Sequence, residues 1–180
     1  MRRAAIFLLT ILGLLALHLA ARPAWADTPL EQQVKSAFVA NFIQFIDWPD
    51  SAFSKADDPL IIGVADPAAL GDALKAAVDS KTVKGHKLVI QQFTPSAVGK
   101  CHILLTGTLD GADLDAALKA AKSSNILTIG DAAHFTDAGG IIQFYLEDRK
   151  VRFEINLAAA QRAKLQISSQ LLKLARVVNK

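Results

Sequence analysis

Apolar and polar positions fall into blocks whose period changes along the chain. Leu30, Val34, Phe38, Phe42 and Phe45, with Ala37 and Ile46 beside them, recur at three- and four-residue spacing and predict one amphipathic helix. Thr28-Pro29-Leu30-Glu31 supplies its start: a capping hydroxyl, a proline suited to the first helical position, and a carboxylate able to reach back to the cap. Trp48-Pro49 stops it, because proline cannot continue a helix and disfavours helical geometry in the residue before it.

The period then shortens. Leu60-Ile61-Ile62-Gly63-Val64-Ala65 is a continuous apolar run ending at Asp66-Pro67, which predicts a buried strand feeding a capped helix that runs to about Val78. Lys87 to Phe93 predicts a second strand and Cys101 to Thr106 a third, more completely buried one. An Ala-rich helix over Asp113 to Ala121 leads to a fourth strand, Ile126 to Ile129, ending at Gly130-Asp131. Strands that alternate with helices predict an α/β fold with a mostly parallel sheet flanked by helices. Ile141 to Leu146 and Val151 to Ile155, separated by Glu147-Asp148-Arg149-Lys150, predict a C-terminal antiparallel hairpin. Arg152 and Glu154 alternate with Val151, Phe153 and Ile155, so one hairpin face is expected to be wet. From Leu157 onward Leu165, Ile167, Leu171, Leu172, Leu174 and Val177 read as the apolar side of C-terminal helices.

The first residues belong to a different regime. Met1-Arg2-Arg3, the apolar stretch from Ala4 to Ala21, and Ala24-Trp25-Ala26 have the three regions of a secretory signal peptide. Residues 1–26 are therefore read as a leader cleaved before Asp27, and residues 27–180 as a single exported α/β domain. This changes the charge picture. The net charge of +3 comes from Arg2, Arg3 and Arg22, and without them seventeen basic residues face seventeen acidic ones. Nucleic acid is excluded as a partner, since phosphate binding needs a basic surplus.

Catalytic motifs are absent from the sequence: there is no nucleophile elbow, Walker loop, dinucleotide fingerprint or paired-His zinc pattern, so no enzyme, cofactor or metal site is expected. His86, His102 and His134 are widely spaced, and adjacent Cys101 and His102 on a strand point to opposite faces. Cys101 is the only cysteine, which excludes an intrachain disulfide and leaves it either a buried small hydrophobe, the favoured reading, or a thiol for intermolecular pairing. Asp66, Thr106 and Asp131 lie at predicted strand ends, where α/β folds bind ligands, and define an alternative small-ligand site. Asp131 with His134 could form an acid–base pair there, but helix capping explains Asp131 and Asp66 more simply. Gly139-Gly140 reads as backbone relief before the hairpin. Trp48 and Phe53, beside the proline stop, divide between a lid on the core and anchors for a partner.

Taken in order, Val34 to Ile43 leading to Trp48-Pro49, Cys101-His102-Ile103-Leu104-Leu105, Leu127-Thr128-Ile129-Gly130-Asp131, Gly139-Gly140-Ile141-Ile142, Val151 to Leu157 and Ile167 to Leu172 resemble the YfiR-like periplasmic regulators. The resemblance implies a non-enzymatic α/β protein that binds the sensory region of an inner-membrane diguanylate cyclase, or a related sensor, and holds it inactive. Its release raises cyclic di-GMP and promotes biofilm formation. The resemblance further implies an outer-membrane lipoprotein that sequesters the inhibitor, and redox-linked disulfides, from which this sequence departs by having Cys101 alone. A homodimer is compatible with the reading. The residues expected to touch the partner are Trp48 and Phe53 as anchors and Arg149, Arg152 and Arg162 as polar contacts, since Trp and Arg are enriched at binding hot spots.

Overall fold

A computed structural model describes residues 29–65, 71–94, 98, 100–122 and 124–179. The leader, its cleavage site, Thr28 and Asp66-Pro67 lie outside the described residues. Helix α1 (Pro29–Phe42) opens the fold, followed by a short 3-10 turn (Ile43–Phe45) and strand β1 (Ile46–Asp47). Strand β2 (Leu60–Val64), helix α2 (Gly71–Val78), strands β3 (Thr82–Val83), β4 (His86–Gln92) and β5 (Ile103–Gly107), helix α3 (Gly111–Ala121) and strand β6 (Leu127–Gly130) make the α/β body. Strands β7 (Ile142–Glu147) and β8 (Lys150–Asn156) form the hairpin. The chain then runs through α4 (Leu157–Arg162), β9 (Gln166–Ile167), α5 (Ser169–Leu172) and β10 (Arg176–Val178).

The main sheet has the order β10-β8-β7-β6-β5-β2-β4-β3, and β1 pairs β9 in a separate two-stranded ribbon. Five of its junctions are parallel, whereas β7–β8 and β3–β4 are antiparallel, so the sheet is mixed and parallel mainly through its centre. The centre is parallel because β2, β5 and β6 are nearly continuous apolar runs; every residue of β5 and β6 is buried, which requires cover on both faces. One face packs Val39 and Phe42 of α1, Leu74 and Val78 of α2 and the side chains Ile62, Ile103, Leu105, Ile129, Phe144 and Phe153 into the larger core. Phe42 stacks on Phe144 and tilts against Phe153 at 4.8 Å between ring centroids. The other face packs Ala117 and Ala121 of α3 against Leu104 and Cys101.

Between β6 and β7, Phe135 is completely buried, and a Cβ at Gly140 would overlap its ring. Gly139, at φ +97°, takes a conformation glycine adopts without strain, as the backbone-relief reading requires.

Three expectations need correction. The first helix stops at Phe42 rather than Trp48: Ile46 is drawn into a strand against Ile167, and Leu30 stands 68% exposed instead of lining the core. The C-terminal third is not one helical face. Asn156 caps α4 by accepting from the Ala159 N–H at 3.0 Å, Lys164 turns the chain with φ 57°, and the apolar residues beyond are recruited by long-range strand pairing. Last, Glu154 on the expected wet face is buried, because β10 lies beside it and its carboxylate accepts from Thr136 Oγ1 and from Arg176 Nε at 2.9 Å. The hairpin itself closes as predicted, through a two-residue turn in which Asp148 and Arg149 both take positive φ, at 51° and 60°.

Candidate functional site

The sequence-predicted residues divide between the two ends of the sheet. At the amino ends of the parallel strands, β1 releases the chain at Trp48, and the segment from there to Pro59 folds back over the entrance of β5. Trp48 is half-buried, and its indole N–H donates to the His102 carbonyl at 3.2 Å. Phe53, also half-buried, is sandwiched between two imidazoles, 3.9 Å from His86 and 4.5 Å from His102, with interplanar angles of 8° and 17°. His86 Nδ1 donates to the Asp58 carbonyl at 2.7 Å. The Asp58 carboxylate in turn accepts from the Ser54 and Lys55 amides, each at 2.9 Å, closing the segment on itself.

His102 is the residue on which this end converges. Its Nε2 donates to the Ala52 carbonyl at 3.1 Å, while its Nδ1 accepts from the Ile61 N–H at 3.0 Å. A backbone N–H can only donate, so the ring is fixed as the neutral tautomer with its proton on Nε2. Burial holds the His102 pKa below the ordinary histidine value; the Ala52 carbonyl opposes that shift, nearby His86 adds to it and Asp58 opposes it. Beside the stack lies a small pocket of about 120 Å³ bordered by Asp47, Asp50, Trp48, Phe53, Lys84 and His86. Lys84 is paired with the Asp47 carboxylate and donates to the Ile46 carbonyl at 2.8 Å.

At the carboxyl ends, Asp131 follows β6 directly, where the ligand reading places it. Its carboxylate accepts from Lys35 Nζ at 2.6 Å, and Lys35, buried to 4% exposure, also meets Glu31 at 2.9 Å. Thr106 is fully buried, and its hydroxyl donates to the Ile129 carbonyl at 3.3 Å. His134 does not join Asp131; it is exposed and bonds Asp137 at 2.9 Å.

Arg149 and Arg152 are exposed on the hairpin, whose tip lies at this same carboxyl end because β7 runs parallel to β6. Arg152 approaches Glu147 at 3.7 Å. Arg162 ends α4 on the rim of a groove of about 620 Å³ between α3 and α4, together with Lys119, Lys122 and Asp137. Trp48 and Phe53 thus come together, Arg149 and Arg152 come together, and the two groups stand at opposite ends of the sheet. Cys101 is 7% exposed and its pKa is pushed up to about 12, chiefly by burial, so the reactive thiolate is strongly disfavoured.

Lys35, Glu154 and the role of His102 were not identified from sequence. Only Lys35 carried a local signal, its spacing of four residues from Glu31. Among the described residues no three His, Cys, Asp or Glu side chains gather as metal ligands would, and no helix is long and apolar enough to cross a membrane.

Comparison with known proteins adds three findings. A family model described as YfiR/HmsC-like matches residues 32–176. A crystal structure of a conserved domain protein from Vibrio cholerae O1 biovar El Tor superposes with a TM-score of 0.54 at 15% identity, covering 83% of this chain. The chain spans 60% of the length of that protein, and the likeness is one of fold. No curated protein sequence matches.

Proposed function

The chain belongs to the YfiR/HmsC-like family, and from that premise we propose that it is an exported, non-enzymatic regulator of cyclic di-GMP signalling. It acts in the periplasm after loss of residues 1–26, binding the sensory region of an inner-membrane protein, a diguanylate cyclase or a related sensor, and favouring its inactive conformation. Such control needs only a difference in affinity between the partner's two states. The observation that carries the reading is the family match over almost the whole described chain.

In this reading Trp48 and Phe53 are apolar anchors at the amino end of the sheet. Arg149 and Arg152 are polar contacts on the hairpin at the other end, and Arg162 is a contact on the α4 rim. Two separated patches suit a regulator that meets a cyclase with one surface and a sequestering lipoprotein with the other. The ligand reading at Thr106 and Asp131 has less support, because that hydroxyl and carboxylate are engaged within the fold.

Deletion of the gene is expected to raise intracellular cyclic di-GMP, with restoration by the intact chain. Unchanged cyclic di-GMP would end this reading. A photo-crosslinker at Arg149 in intact cells should then capture the sensory region of the cyclase whose activity rises.

A further inference from the structure

The segment from Trp48 to Asp58 is fastened to the sheet mainly through one side chain and its own backbone carbonyl. His102 receives the Trp48 indole on its carbonyl, stacks on Phe53, donates to Ala52 and accepts from Ile61. The last of these bonds sets the others apart. The Ile61 amide donates to an imidazole nitrogen, a side-chain acceptor that a proton abolishes.

We infer that His102 is an acid-operated latch for the Trp48–Asp58 segment. A proton taken from solvent at Nδ1 turns that nitrogen from acceptor into donor. It then faces the Ile61 N–H donor to donor, and a half-buried backbone amide is left without a partner. The ring must leave its slot to relieve this, and as it leaves, Phe53 loses one of its two stacking partners and Ala52 its donor.

His86 does not share this property, since its Nδ1 is a donor, to the Asp58 carbonyl. The titratable groups that act on His102 are His86 on β4 and Asp58 on the segment itself; Asp50 on the segment, Asp47 on β1 and Lys84 in the β3–β4 turn border the pocket beside Phe53 and His86. Lys84 and Asp47 are paired with each other, and the Asp58 carboxylate is held by two amides. The depressed His102 pKa, caused mainly by burial, places the transition on the acid side of the ordinary histidine value. For a surface whose anchors are Trp48 and Phe53, acid would rearrange the anchors themselves; this consequence rests on the proposed function, whereas the latch does not.

The test uses the isolated full chain carrying Trp25→Phe, which leaves Trp48 as its single tryptophan. Lowering the pH from about 7.5 to about 4.5 should shift Trp48 emission to the red, with a midpoint below about 6.5. His102→Asn, whose amide oxygen stands near the place of Nδ1 and does not titrate, should abolish the shift. His86→Asn should retain it. A second reading needs no substitution in the stack: the hydrogen-exchange protection factor of the Ile61 amide should fall by about tenfold or more across the same range. Emission that does not move, a shift that survives His102→Asn, a shift lost in His86→Asn, or unchanged Ile61 protection would each overturn the latch, whatever the partner proves to be.

Discussion

The two ends of the sheet solve the same problem, a polar group carried into a buried place, by different chemistry. At the carboxyl end a charge meets charges: Lys35 lies between Asp131 and Glu31, and its worth depends on all three remaining ionised. At the amino end there is no buried ion pair in the stack; two imidazoles, an indole and a phenyl ring are held by backbone carbonyls and amides. The first arrangement is strong while intact and costly to break on one side, because the surviving carboxylates, with side chains only 14% and 16% exposed, lose the cation they share. The second is weaker in any one contact and can be reset by a single proton. The difference marks the carboxyl end as a fixed joint and the amino end as the adjustable one.

Breaking the fixed joint should have the largest effect. Lys35→Met is expected to lower stability by about 3 kcal/mol, since Asp131 and Glu31 lose their common cation; a fall in the urea midpoint at unchanged slope would register it. Phe53→Ala should cost about 2 kcal/mol, less than a fully buried phenylalanine because the ring is half-exposed, and should leave His86 and His102 without their shared stacking partner; the thermal midpoint measures it.

A smaller effect separates the ends by pH. The folded His102 pKa lies below its unfolded value, so the folded state favours the neutral ring. The stability it contributes is complete above about pH 6.5 and is lost as pH falls from there through the folded pKa. Urea midpoints compared between wild type and His102→Asn across that window should converge in acid. The smallest effect belongs to neither end. Leu174, 74% exposed, should tolerate Leu174→Ser within about 0.5 kcal/mol by the same melt.

The same contrast explains how much could be read in advance. Continuous apolar runs announced β2, β5 and β6 because burial on both faces leaves a mark in every residue. The hairpin was visible through its polar turn. Leu165, Ile167 and Leu171 instead share a spacing with helices while Ile167 belongs to a strand; its partner, Ile46, lies more than a hundred residues away, where no local pattern reaches. The site followed the same rule. Element order alone locates Thr106 near the end of β5 and Asp131 just after β6, yet the lysine that occupies Asp131 comes from the first helix. Trp48 and Phe53, grouped by proximity in sequence, both meet His102 in the fold. The two histidines that enclose Phe53 arrive from different strands, and Arg149 and Arg152 could not be assigned to the end opposite Trp48 and Phe53 before the topology was known.

The burial of Cys101 beneath α3 has a practical side. Maleimide reagents need an accessible thiolate, and the native sulfur offers neither access nor ionisation at neutral pH. A cysteine introduced at the hairpin tip, as in Arg149→Cys, would therefore take up a fluorophore or spin label alone, with the natural residue left in place. The distance from that label to an acceptor near the histidine stack would report the adjustable end from the fixed one.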